Sequence, residues 1–306
     1  MWHLYLPIAG NSINVIVIFT IGGGVGLLSG IFGVGGGFLM TPLLMMLGIP
    51  PTIAAASDSN QIVGASTSGT LAHYRMGNVD FKMGVLLLIG GILGSTSGVH
   101  LIKILRSLGN ADFLITISYV LMLGFVGGYM FFESIQGMRR NTSEPISIQK
   151  ESRYSRFMKT LPYQTVFEKS GVQFSIFVPI LLGCFVGILA AIMGVGGGFI
   201  MVPVMVYLLR MPMHVVVGTS LFQILFTCIN VTIMQAATNH TVDFMLALIL
   251  LLGSTIGAQF GAKISKKLGG DQLKILLAIL VLLVMVKMLF TLLLPPHIML
   301  SYKGGH

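Results

Sequence analysis

GGGVGLLSGIFGVGGGFLMTP, residues 22–42, and GCFVGILAAIMGVGGGFIMVP, residues 183–203, are two copies of one pattern. GVGGGF occupies Gly33 to Phe38 and again Gly194 to Phe199, preceded by Gly26 and Gly187 and followed by Pro42 and Pro203, all at an offset of 161. The series continues further along the chain. VDF at Val79 to Phe81 recurs at Val242 to Phe244, and Gly90, Gly94 and Gly98 recur as Gly253, Gly257 and Gly261, now at an offset of 163. An ordered series of this kind marks an internal repeat with a two-residue insertion between its blocks.

The sequence around these motifs sets the medium. Of 306 residues, 55% are hydrophobic and 9% charged, against roughly a quarter charged in a soluble domain. Mean hydropathy is +0.92 over the whole length, which excludes a water-soluble globule and asks for several spans of about 20 apolar residues. Runs such as Leu86 to Ile92 and Ile275 to Leu283 lack the alternation of a membrane β-barrel. Apolar or small-residue segments fall near 12–32, 38–49, 52–72, 83–105 and 112–132, and again near 172–193, 199–209, 213–237, 243–264 and 272–294. The spacing predicts an all-α polytopic membrane protein of two repeats, residues 1–132 and 171–306, joined by a polar linker, 133–170. Each repeat has about five helical elements, and its first helix breaks at the glycine motif.

Charge decides how the repeats are oriented. If each half crosses an odd number of times, one side collects Arg75, Lys82, seven linker charges, Arg210, Lys263, Lys266, Lys267 and Lys274, while the other keeps Lys103, Arg106 and Lys303. Counting 12–49 and 172–209 as single crossings reduces this bias to ten against seven. The positive-inside rule therefore predicts inverted repeats in the cytoplasmic (inner) membrane, with both termini outside and the linker in the cytoplasm. The net charge of +9 is explained by that orientation, and no aromatic-studded basic patch suggests nucleic acid. No Lys or Arg precedes Arg75, so the first apolar segment lacks a signal peptide's basic region and is expected to belong to the mature protein.

Nine of the sixteen residues from Gly22 to Gly37 are glycine, and each costs about 1 kcal/mol relative to Ala in a helix interior. The rows Gly22, Gly26, Gly30 and Gly90, Gly94, Gly98 have the spacing of close helix packing. The run Gly33 to Gly37 predicts an unwound stretch, which at membrane depth must line a cavity or lie inside protein. A dinucleotide loop is excluded by context, since the motif follows an apolar span and lacks both the P-loop lysine and a ribose-binding acid. Cys184 and Cys228 have no metal or disulfide spacing, and the methionines show no metal-site pattern, so no cofactor is expected.

Each break restarts as a short helix whose free N–H groups attract anions. Two such ends meeting near the midplane would form a transporter-like site. Its candidate members are Gly35, Gly36, Gly37 and Phe38 with Gly196, Gly197, Gly198 and Phe199. The next element of each half adds polar side chains: Ser57, Asn60 and Gln61, continuing to Gly64 and Ser68, and in the second half Thr219, Ser220 and Gln223, continuing to Thr227 and Asn230. Asp58 is the acidic residue placed at membrane depth, and it is a candidate for coupling a proton or sodium ion. Thr219 falls opposite Asp58 at the offset of the glycine block. Lys287 is the basic residue deep in a span. His73, Tyr74 and Arg75 are expected to anchor the cytoplasmic edge.

The duplicated G-x-x-x-G-x-x-G-V-G-G-G-F-[IL]-x-x-P blocks, the polar helix after each, and VDF with its glycine ladder resemble the TauE/SafE sulfite exporter family of membrane anion permeases. Gly218, Thr219 and Ser220 look like that family's G-T-S, whereas the first half has Ser57, Asp58 and Ser59. The resemblance implies secondary transport of a small anion, chiefly sulfite or an organosulfonate. A passive anion channel and a carrier for a small carboxylate are the alternatives. An enzyme is not expected, since H-E-x-x-H, G-x-S-x-G and a depth-matched acid–base pair are missing from the sequence. The sequence leaves the oligomeric state open.

Overall fold

The computed structural model describes residues 3–32, 36–139, 162–265 and 270–293. In the first half, an antiparallel hairpin of β1 (His3–Leu6) and β2 (Asn11–Asn14) leads into α1 (Val15–Phe32), α2 (Gly37–Met46), α3 (Pro51–Arg75), α4 (Phe81–Ser107) and α5 (Ala111–Arg139). The second half repeats this order. Its hairpin, β3 (Gln164–Phe167) and β4 (Val172–Ser175), precedes α6 (Phe177–Met193), α7 (Gly198–Pro203), α8 (Met213–Met234), α9 (Phe244–Ser265) and α10 (Gly270–Leu293). The all-α polytopic architecture holds, with two small hairpins added. Most of the expected linker falls outside the described residues; α5 runs past its expected end to Arg139.

Large apolar side chains face outward as well as inward, while polar ones in the helices are buried. Phe125, Leu181, Phe132 and Leu121 stand on the surface, while Ser57, Asp58, Gln61, Thr219, Ser220 and Gln223 are fully buried. A lipid surround explains both facts, because apolar side chains lose nothing facing hydrocarbon and polar ones must turn inward. Phe81–Ser107, Ala111–Tyr129, Val215–Asn239 and Phe244–Gly261 are long and apolar enough to span a bilayer. Lys287 sits on an exposed face of α10.

The glycine rows pack across the two halves rather than within one. A Cβ on Gly26 would run into the backbone of Ser254, and one on Gly257 into Gly23, so α1 and α9 lie side by side in parallel. The same exchange joins α4 to α6, where Gly90 meets Ile180, Gly94 meets Cys184 and Gly187 meets Gly91. Backbone contact this close is open to small residues alone, and it supplies the van der Waals packing that replaces the hydrophobic drive inside a membrane. Between these two pairs, α3 and α8 run antiparallel. Ile62 packs with Ile224 and Cys228, Gly69 is beside Leu221, and His73 is beside Gly218.

The insertion separating the repeat blocks is resolved into two π-helical turns. Val204–Leu208 extends α7, and Gln235–Asn239 extends α8. A π-turn accommodates one extra residue within a helix, so the offset rises first to 162 and then to 163. Pro50 and Pro212, 162 apart, accept the same pair of first-turn bonds, from Ile53 and Ala54 and from Val215 and Val216. The polar helices therefore align with Thr219 opposite Ser57, Ser220 opposite Asp58 and Gln223 opposite Gln61. The expected pairing of Asp58 with Thr219 is corrected by one residue, because the first π-turn comes before α8.

The two aspartates of the VDF motifs confirm this register and join the halves. Asp80 N–H donates to Thr219 Oγ1 at 3.0 Å, and Asp243 N–H donates to Ser57 Oγ at 3.3 Å. Each carboxylate caps its own helix through Met83 N–H or Leu246 N–H. With its other oxygen, each holds the opposite half's hairpin: Asp243 receives Ile8 N–H, and Asp80 receives Ser170 N–H and Oγ–H.

Candidate functional site

The two glycine breaks meet at the centre. Residues 33–35, and with them the candidate Gly35, lie outside the described residues. Gly36 caps α2 from the left-handed region at φ +72°, and its carbonyl accepts from Leu39 N–H and Met40 N–H. In the second half Gly194, Gly196 and Gly197 all have positive φ, and the Gly197 carbonyl accepts from Ile200 N–H and Met201 N–H. Each restart leaves its first N–H groups, those of Gly37 and Phe38 and of Gly198 and Phe199, ahead of the intrahelical ladder. Phe38 and Phe199 stack face to face, with centroids 4.5 Å apart and planes 12° from parallel. A Cβ on Gly37 would strike Ile62 and crowd Val195, and one on Gly196 would strike Cys228 and Ile224. The breaks are thus wedged against the middle of α3 and α8.

The polar side chains separate into two sets. Ser57 and Thr219 stand near the starts of antiparallel helices, where they receive the VDF aspartate N–H groups. Gln61 and Gln223 lie nearer the middle, and both are fully buried. Gln223 Nε2 donates to Thr227 Oγ1 at 2.8 Å, which leaves its Oε1 without a partner; neither amide atom of Gln61 has one. Ser220 turns its hydroxyl back to Val217 O at 3.1 Å. Asn60 is partly exposed, at the position equivalent to Phe222. Ser68 faces outward, away from the polar interior.

Asp58 is fully buried, and Thr41 Oγ1 donates to its Oδ2 at 2.8 Å while Oδ1 meets no hydrogen-bond partner. Tyr119, also fully buried, donates to Met193 O at the end of α6 and lies beside Thr41 and Asp58. Ser59 Oγ lies 3.2 Å from the carbonyls of both Ala55 and Gly194. One carboxyl group is therefore tied through Thr41 to the restart of the first break and stands beside Tyr119, which is tied to the start of the second. The sequence reading did not single out Thr41 or Tyr119. Thr41 carried a usable signal, because Val202 takes its place in the otherwise matching block. Tyr119 carried little more than its polar group within an apolar segment.

The described residues hold no group of three or more His, Cys, Asp or Glu suited to a metal ion. What the centre offers is backbone N–H groups, hydroxyls, two amides and one carboxyl, without a described Lys or Arg buried among them. Such a set offers hydrogen-bond donors and acceptors of the kind that suit a small polar solute.

Comparisons with known proteins agree with this architecture. A family model described as sulfite exporter TauE/SafE matches residues 18–288. The chain is 26% identical over 281 residues to the probable membrane transporter protein YunE of Bacillus subtilis (strain 168), covering 89% of this chain and 96% of that one. It is also 26% identical over 261 residues to a probable membrane transporter protein of Xylella fastidiosa (strain 9a5c), covering 85% and 88%. A sulfite exporter TauE/SafE family protein 5 of Arabidopsis thaliana is 33% identical over 108 residues, covering 33% of this chain and 24% of that protein. No solved structure matches. With the family model covering most of its length, the chain is a multi-pass membrane transporter that belongs to the sulfite exporter TauE/SafE family.

Proposed function

We propose that this transporter moves a small anion, sulfite or an organosulfonate, across the cytoplasmic membrane by alternating access, with a proton or sodium ion coupled through Asp58. The observation that carries the reading is the meeting of two glycine-broken helices at stacked Phe38 and Phe199, beside buried amides with unpaired atoms. Hydrogen bonds to a charged group contribute roughly 1.5–3 kcal/mol each, so a few of them hold an anion at modest affinity without a buried cation. The antiparallel run of equivalent helices α3 and α8 supports inverted repeats. Arg75, Lys82 and Lys169 gather at one end, and Arg106 is at the other beside Asn239 O; this supports a cytoplasmic linker with both termini outside.

Thermal stabilisation of the purified protein across sulfite, thiosulfate, sulfonates and small carboxylates tests the substrate class. A rise in Tm with sulfite or a sulfonate is expected, and a response confined to carboxylates would reassign it. Saturable counterflow of the stabilising anion in proteoliposomes separates the carrier from a channel. Orientation is read with impermeant thiol reagents on intact cells: Ser147→Cys should be protected and Ser301→Cys should react. Labelling of Ser147→Cys from outside would overturn the inverted arrangement.

A further inference from the structure

Hydroxyls on the outer faces of this protein close on themselves. Thr20, Thr67 and Ser97 are exposed, and each donates to the carbonyl four residues earlier, as does half-buried Thr116. That bond is the expected response to hydrocarbon, where no water is available as a partner. Ser66 and Thr70, on the same helix as Thr67, behave differently. Ser66 is fully buried, yet its Oγ has no partner; the same holds for the buried oxygen of Thr70 and for Nδ1 of His73.

These three residues follow one another at i, i+4 and i+7, and Ile62 continues the row back to both breaks. The stripe therefore starts at the Ile62–Ile224 contact in the middle of the molecule and ends two residues before Arg75. Its counterpart on α8 is more nearly sealed. There Cys228 replaces Ser66 and Gln235 replaces His73. Gln235 donates to Ala191 O and accepts from Asn239 and Thr241, leaving Thr232 alone with an unpaired hydroxyl.

We propose that a hydrated path runs along α3 from the central contact to the Arg75 end, lined by Ser66, Thr70 and His73. Water and the transported anion pass along it, Arg75 at its mouth favours anion entry, and the matching α8 stripe has more of its polar groups paired. Buried polar groups with unmade hydrogen bonds are stable where water reaches them, and a row of them at helical spacing outlines where that water runs. The substrate part of this inference rests on the anion-transporter reading; the path itself does not.

The test uses single cysteines in full-length protein carrying Cys184→Ser and Cys228→Ala, reconstituted and challenged with an anionic methanethiosulfonate reagent from one side at a time. Ser66→Cys and Thr70→Cys should react at least tenfold faster than Thr67→Cys, and from the Arg75 side. Thr232→Cys should stay slow from the opposite side. Equal rates at positions 66, 67 and 70, or faster reaction from the other side, would overturn the path. Reactive cysteines in protein that shows no sulfite or sulfonate counterflow would leave the path standing and remove the substrate. Thr70→Val, nearly the same shape, provides a second arm should the cysteine variants fold poorly. It should slow counterflow at least tenfold with Tm unchanged, and a raised Tm with unchanged flux would assign Thr70 to packing.

Discussion

The two halves share a scaffold and differ in the chemistry it carries. Gly36 and Gly197 both have positive φ at the start of a half-helix, Phe38 and Phe199 stack, and Asp80 and Asp243 make the same three kinds of contact. In the first half, however, Thr41 donates to Asp58, where the second half has Val202 and Ser220. A duplicated fold needs both copies for its geometry. A single acid, placed in one copy, is enough for a protonation or ion-binding event. Backbone features should therefore be equally intolerant of change in both halves, and side-chain features should be unequal.

The largest expected effect tests the shared part. Valine at position 36 or 197 would be forced to positive φ, which costs a β-branched residue more than the roughly 1–2 kcal/mol typical of L-residues. Its Cβ would also press on Ser29 at 2.8 Å or on Val186 at 2.5 Å. Gly36→Val and Gly197→Val should each abolish anion-dependent thermal stabilisation. Loss in one variant with full retention in the other would break the equivalence of the two breaks.

Asp58→Asn comes next and tests the unshared part. Removing the charge while keeping the shape should abolish gradient-driven accumulation in proteoliposomes and leave anion-dependent stabilisation measurable. Unchanged accumulation by a well-folded variant would assign Asp58 to packing and dissolve the functional difference between the halves.

The scaffold was more legible in the sequence than the side chains on it. The helical segments could be read from long apolar runs, and the repeat from glycines whose role in close packing leaves no alternative residue. The hairpins were not legible, because strands of four residues are too short to show a period. Register was misread by one residue between Asp58 and Thr219: the polar helices have little sequence in common, and the π-turn that shifts them has no sequence signature. The stripe from Ser57 through Gly64 to Ser68 follows helical spacing, which does not show that Ser68 faces outward and Ser66 inward. Thr41 and Tyr119 escaped because their importance comes from which groups the fold places beside Asp58.

The hairpin contacts give a smaller and graded effect. Asp80→Ala and Asp243→Ala each remove a helix cap worth about 1 kcal/mol. Asp80 also holds both the N–H and the hydroxyl of Ser170, whereas Asp243 holds the N–H of Ile8. The Asp80 variant should be the less stable of the two by about 1 kcal/mol, the worth of the extra bond, as measured by unfolding in detergent. Equal losses would mean that the Ser170 hydroxyl bond contributes nothing.

Ser220→Ala should have the smallest effect, and it is the direct counterpart of the Asp58 experiment because the two residues occupy equivalent positions. The hydroxyl proton of Ser220 is committed to Val217 O within its own helix, so an anion could meet that oxygen's lone pairs but not its proton unless the internal bond breaks first. Losing one ordinary hydrogen bond of about 0.5–1.5 kcal/mol weakens binding by about tenfold at most. Here the internal bond offsets part of even that loss. Anion affinity measured by thermal shift should therefore fall less than tenfold, and gradient-driven accumulation should persist. If Ser220→Ala abolished accumulation as completely as Asp58→Asn, the two positions would be acting as a matched pair, and the coupling event could no longer be placed in the first half alone.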